Sequence, residues 1–91
     1  MKTVFKYPLQ VKDKQEIQMP VGAEILCVQV QGGTPCLWAK VDTEAAYDIK
    51  RTIRIYGTGH HINQDEPLDY IGTFQLENGV LVFHVFELRL P

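Results

Sequence analysis

Apolar and polar residues alternate with a period of two along most of this chain, and two glycine-containing dipeptides punctuate the alternation. Such patterning makes strands, because successive side chains of an extended backbone point to opposite faces. Gly32-Gly33 separates residues 24–31 from residues 35–42, and Asn78-Gly79 separates residues 70–76 from residues 80–87. Both dipeptides suit the left-handed backbone of a two-residue hairpin turn. Three further β-prone segments, residues 3–7, 16–19 and 51–56, bring the expectation to about seven short strands. The polar residues 12–15 turn the chain between the first two, and Pro20 and Gly22 punctuate it again. Asp42 is placed to cap a single helical turn over residues 44–47 inside the polar connection 42–50. Residues 57–69 form the longest irregular segment. The expected fold is all-β, a small antiparallel sandwich or barrel, in one domain over residues 1–91.

The turns fix the register. With Gly32-Gly33 at the tip, Gln31 faces Thr34, Gln29 faces Cys36, Cys27 faces Trp38 and Leu26 faces Ala39. One face then carries Leu26, Val28, Val30, Leu37, Ala39 and Val41. The other carries Cys27, Gln29, Cys36, Trp38 and Lys40. A one-residue slip would invert both sets. Cys27 and Cys36 fall on a diagonal, roughly 7–8 Å apart, too far for an unstrained disulfide. Around Asn78-Gly79, Phe74 faces Phe83, Leu76 faces Leu81, Thr73 faces His84 and Ile71 faces Phe86. This last hairpin is apolar on both faces: Phe74, Leu76, Leu81, Phe83 and Val85 on one, Ile71, Val82 and Phe86 on the other. Leu88 and Leu90 extend it. Antiparallel sheets normally keep one face polar, so either the chain itself or a second subunit covers Ile71, Val82, Phe86 and Leu88. A homo-oligomer through these residues is expected.

Composition narrows the function classes. Nine Lys and Arg against 11 Asp and Glu give a net charge of −2, so the basic surface that nonspecific nucleic-acid binding requires is not expected. No apolar run approaches the ~20 residues of a membrane span, and the first residues carry no signal-peptide pattern. The chain reads as a cytoplasmic protein without a membrane partner. Two cysteines nine residues apart form neither a disulfide scaffold nor a zinc motif. There is no serine, and both cysteines sit in strand interiors, so a nucleophilic enzyme is not expected. Neither a cofactor nor a metal is expected. His60 and His61 are adjacent and so point opposite ways on an extended chain, and His84 facing Thr73 reads as a hydrogen-bonded strand residue.

The most distinctive segment is Gly57-Thr58-Gly59-His60-His61. Two glycines around a threonine permit turns whose N–H groups converge on an anion, Thr58 adds a hydroxyl, and His60 or His61 a partial positive charge. Trp38 and Lys40 share one strand face, and Arg54 and Tyr56 share another. If those strands were neighbours, the four side chains would meet as a mixed aromatic and basic surface of the kind that suits a nucleotide or a protein hot spot. The expected ligand-binding set is therefore Gly57, Thr58, Gly59, His60, Arg54, Tyr56, Trp38 and Lys40.

The motifs FKYPL at 5–9, VQGGTPCLWAKVD at 30–42, R-x-YGTGH at 54–60, and YIGTFQL with LVFHVFE at 70–76 and 81–87 cover nearly the whole chain. On these blocks the sequence resembles a family of small proteins encoded by bacteriophages and prophages. His61 departs from that pattern, where proline is common, so the resemblance lends His61 nothing. The resemblance implies a host-cell cytoplasmic setting and no reaction. The expectation that follows is a non-enzymatic accessory protein that binds a host molecule, either a nucleotide-like signal or a defence protein. A virion structural or assembly component, and a small metal- or histidine-dependent hydrolase using His60 and a loop carboxylate, are the alternatives.

Overall fold

A computed structural model of the chain describes residues 1–47 and 49–89. It contains seven strands: β1 (Lys2–Pro8), β2 (Lys14–Met19), β3 (Glu24–Gln31), β4 (Thr34–Asp42), β5 (Ile49–Gly57), β6 (Leu68–Leu76) and β7 (Leu81–Leu88). They form two antiparallel sheets, one of order β1-β4-β3 and one of order β2-β5-β7-β6. The envelope of 40 × 34 × 16 Å is two stacked sheets thick. The all-β expectation holds, and of its two forms the sandwich is the one observed. Leu90 lies outside the described residues.

Inward-facing residues of both sheets build the core. Leu37, Ala39 and Val41 of β4 meet Ile53 and Ile55 of β5 and Val85 of β7, with Met19 sealed among them. Each sits at an alternate position of its strand, so the period-two pattern is the cause of the layer. At one end Arg51 turns inward, pairs with Glu87 through Nε and, at 3.0 Å, through NH2, and donates to Ala23 O at 2.8 Å. The guanidinium thereby ties the four-stranded sheet to the connection that leads from β2 into β3, and the Glu87 carboxylate holds it above its ordinary pKa.

The β3–β4 hairpin keeps the expected pairs Gln31–Thr34, Gln29–Cys36 and Cys27–Trp38. The register then shifts, and Ile25 rather than Leu26 faces Ala39. Leu26 is the extra residue of a β-bulge; it is turned outward and 45% exposed, while Ile25 packs on the core. Cys27 and Cys36 are free thiols.

The β6–β7 hairpin keeps Leu76–Leu81, Phe74–Phe83 and Thr73–His84. Its turn is four residues, Glu77 to Val80, closed by Val80 N–H on Glu77 O, with Glu77, Asn78 and Gly79 all at positive φ. A second bulge between Tyr70 and Gly72 puts Tyr70, not Ile71, opposite Phe86. Ile71 is thereby rotated onto the core and leaves the outer face that Val82, Phe86 and Leu88 share. The expected helical turn after Asp42 is an Asx turn instead: Asp42 Oδ1 accepts the Glu44 N–H at 3.0 Å and Asp42 O accepts the Ala45 N–H at 3.1 Å.

Candidate functional site

β5 is an inner strand of the four-stranded sheet. Its odd residues enter the core, so Arg54 and Tyr56 project from the outer face. Trp38 and Lys40 project from the outer face of the other sheet, because Leu37, Ala39 and Val41 take the inner face of β4. Two sheets separate the pairs, so the expected four-residue surface does not assemble within one chain. The Trp38 indole N–H is buried with no acceptor among the described residues.

The outer face of the four-stranded sheet is where the remaining candidates gather. Arg54 NH1 donates to Glu66 Oε1 at 2.6 Å, Arg54 Nε donates to Asp13 O at 3.1 Å, and the guanidinium lies 5.1 Å from the centre of the Tyr56 ring. Tyr56 donates to Glu66 Oε2 at 3.4 Å. Burial raises the Tyr56 pKa; the Arg54 charge opposes this and the Glu66 carboxylate adds to it. These three side chains wall an open cleft of about 600 Å³, whose other side is the loop 61–64. Beyond Tyr56 the rings continue edge to face, Tyr56 to Phe86 at 6.1 Å and Phe86 to Tyr70 at 5.5 Å. Tyr70 is 62% exposed.

In the Gly57-Thr58-Gly59-His60 segment, two of the N–H donors expected to converge on an anion are taken up by backbone carbonyls. Thr58 N–H donates to Val82 O at 3.2 Å and His60 N–H to Gly57 O at 3.0 Å, so these donors are used inside the fold. The Thr58 hydroxyl meets His84 Nε2 at 2.7 Å, His84 Nδ1 meets Thr73 Oγ1 at 3.0 Å, and Thr73 Oγ1 meets the Tyr70 hydroxyl at 2.6 Å. Thr58 thus joins a hydrogen-bonded chain across the outer face, and the expected Thr73–His84 contact is part of it. His60 turns the other way, with its ring over Gly57; a Cβ on residue 57 would stand 2.9 Å from His60 Cε1. His61 lines the cleft beside Arg54. Among the described residues no group of three or more His, Cys, Asp and Glu side chains is gathered closely enough to hold a metal ion.

Two contributors were not legible in the sequence as parts of this site. Glu66 lies in an irregular loop whose path no periodicity reports. Tyr70 joins the face only because the bulge at Ile71 changes the register. Arg54 and Tyr56 share a face by strand alternation alone, which the sequence does report.

The model of a domain of unknown function, DUF7352, matches residues 1–91. The chain belongs to that family. No curated protein and no solved structure matches it. No helix among the described residues of this DUF7352 member is long and apolar enough to cross a membrane.

Proposed function

We propose that this chain is a non-enzymatic binding module that receives a host protein on the outer face of its four-stranded sheet. The observation that carries the reading is the ring row Tyr56–Phe86–Tyr70, which runs from Arg54 and the cleft to an exposed tyrosine. Tyr and Arg dominate the energetics of protein recognition, because they bury large area on few rotatable bonds and carry a polar tip. Arg54, which closes one end of the row, is already paired with Glu66, so a partner covers that charge without stranding it. The phage or prophage setting, and with it the host cytoplasm and a defence protein as the target, rests on the motif resemblance.

A nucleotide-like ligand is the second reading, favoured by the size of the cleft, which lies within the range of small-molecule sites. Its phosphate would have to draw Arg54 away from Glu66. A homo-oligomer using Val82, Phe86 and Leu88 would occupy the same face as the protein partner and compete with it.

The test is retention of a bacterial host protein by the immobilised chain, compared across Tyr70→Ala, Phe86→Ala and, on the opposite sheet, Lys40→Ala. Retention by the wild type and by Lys40→Ala, lost in the two ring variants, is the expected result. Equal retention by all four, or none by the wild type, overturns the reading. Heat on titration with a cyclic nucleotide that vanishes in Arg54→Ala moves the conclusion to the second reading.

A further inference from the structure

We propose that two copies of this chain pair through the open edge of β2, antiparallel, with Lys14 opposite Glu16 of the other copy and Glu16 opposite its Lys14. The direction of the backbone groups is set by one hydrogen bond. Ile55 N–H donates to Asp13 O at 3.1 Å, so the odd residues at and beyond the start of β2 face β5. In an antiparallel ladder the intervening residues direct both N–H and C=O the other way. β2 is the outermost strand of its sheet, with β5 as its neighbour, so among the described residues Lys14, Glu16 and Gln18 present their backbone groups along a free edge. A groove of about 380 Å³ runs along this edge, with Gln15 to Gln18 on one side and Pro8 and Gln10 on the other.

Charge selects both the occupant and the register. A strand paired with its own copy about a two-fold axis at Gln15 sets Lys14 against Glu16 twice, in addition to four backbone hydrogen bonds between residues 14 and 16. Directly opposite unlike charges stabilise a strand pair, and like charges destabilise it. Within one chain Lys14 stands opposite Arg54, a like charge, and among the described residues neither Lys14 nor Glu16 has an ion-pair partner. The second copy supplies what each lacks.

The other edge strands do not offer this. Leu9 N–H donates to Pro35 O, which by the same alternation turns Lys2, Val4 and Lys6 to the free edge of β1. A two-fold about Val4 opposes Lys2 with Lys6, and Pro8 has no N–H, the guarding expected of an edge strand. The edges of β3 and β6 meet each other where Gly72 abuts Val28. Pairing through β2 joins the two four-stranded sheets into one of eight. With strands about 4.8 Å apart, the two β5 strands and their Arg54 clefts come to lie roughly 14 Å apart.

The contact is small, so the dimer is a weak one, and sedimentation equilibrium up to about 0.5 mM protein reads it. The wild type is expected to dimerise, and K14E and E16K each to weaken the dimer at least tenfold by placing like charges opposite. An equimolar mixture of K14E and E16K restores dimers at wild-type strength, because each strand then meets its complement. That restoration also shows that both variants fold. A wild type that stays monomeric, single variants that dimerise as tightly as the wild type, or a mixture that stays monomeric each overturns the proposal.

Discussion

Gly72 of β6 lies directly against Val28 of β3, so closely that a Cβ on residue 72 would stand 2.7 Å from Val28 Cγ1. This is the corner where the edges of the two sheets touch, and Val28 is only 6% exposed. A branched, buried side chain has no room to retreat, so Gly72→Ala overpacks the corner and is expected to cost about 1–3 kcal/mol. Denaturant unfolding should show a lower midpoint at unchanged slope. Val28→Ala vacates the same space, so the double variant should be less destabilised than the sum of the two single variants. Strict additivity would remove the close approach as the reason for glycine.

The bulge in β3 makes a second prediction, because it exchanges the roles of two neighbouring aliphatic residues. Ile25 packs on the core and Leu26 is turned to solvent. Ile25→Ala is expected to cost about 2 kcal/mol or more, whereas Leu26→Ala should stay within about 0.5 kcal/mol. Equal costs, or the reverse order, would mean that the strand keeps the unbulged register in solution.

These two bulges also mark where the sequence stopped being readable. Hairpin pairing is legible near Gly32-Gly33 and Asn78-Gly79, because the turn fixes the count from its tip. One inserted residue, Leu26 or Ile71, then reverses every face beyond it, and neither residue type announces a bulge. The sheets' partners are a further loss. Alternation says that Trp38 and Lys40 share a face and that Arg54 and Tyr56 share a face. It does not say which sheet each strand joins, and β4 and β5 belong to different ones. The Gly-Thr-Gly segment is legible as flexible backbone, but the Val82 and Gly57 carbonyls that take up its N–H groups come from the fold.

Two tyrosines make the fold sensitive to alkali. Burial, reinforced by the Tyr47 hydroxyl at 3.3 Å, raises the pKa of Tyr7, and burial raises that of Tyr56. A group whose pKa is higher folded than unfolded contributes stability that is complete below the unfolded value. For tyrosine that value is about 10, and the contribution is lost as pH rises through the folded value. Stability should therefore fall above about pH 10, by up to about 1.4 kcal/mol per pH unit for each of the two groups. Unfolding midpoints measured across this range should decline less steeply in Tyr7→Phe than in the wild type. Identical profiles would show that Tyr7 ionises as freely in the folded chain as in the unfolded one.

The Arg54–Glu66 pair decides how the cleft treats anions. Both side chains are about four-fifths buried, at 19% and 18% exposure, and Tyr56 shares the same carboxylate. Glu66→Gln keeps the shape and an acceptor for Arg54 but removes the opposing charge. Loss of this mostly buried, charge-assisted pair is expected to cost about 1–2 kcal/mol of stability. The same change leaves a guanidinium over the Tyr56 ring without a counter-charge, which is the arrangement an anion seeks. Inorganic phosphate followed by chemical-shift changes at the Arg54 side chain should bind the variant several-fold more tightly than the wild type. If the wild type binds phosphate equally well, Glu66 does not hold Arg54 back, and the nucleotide-like reading of the cleft gains over the protein-partner reading.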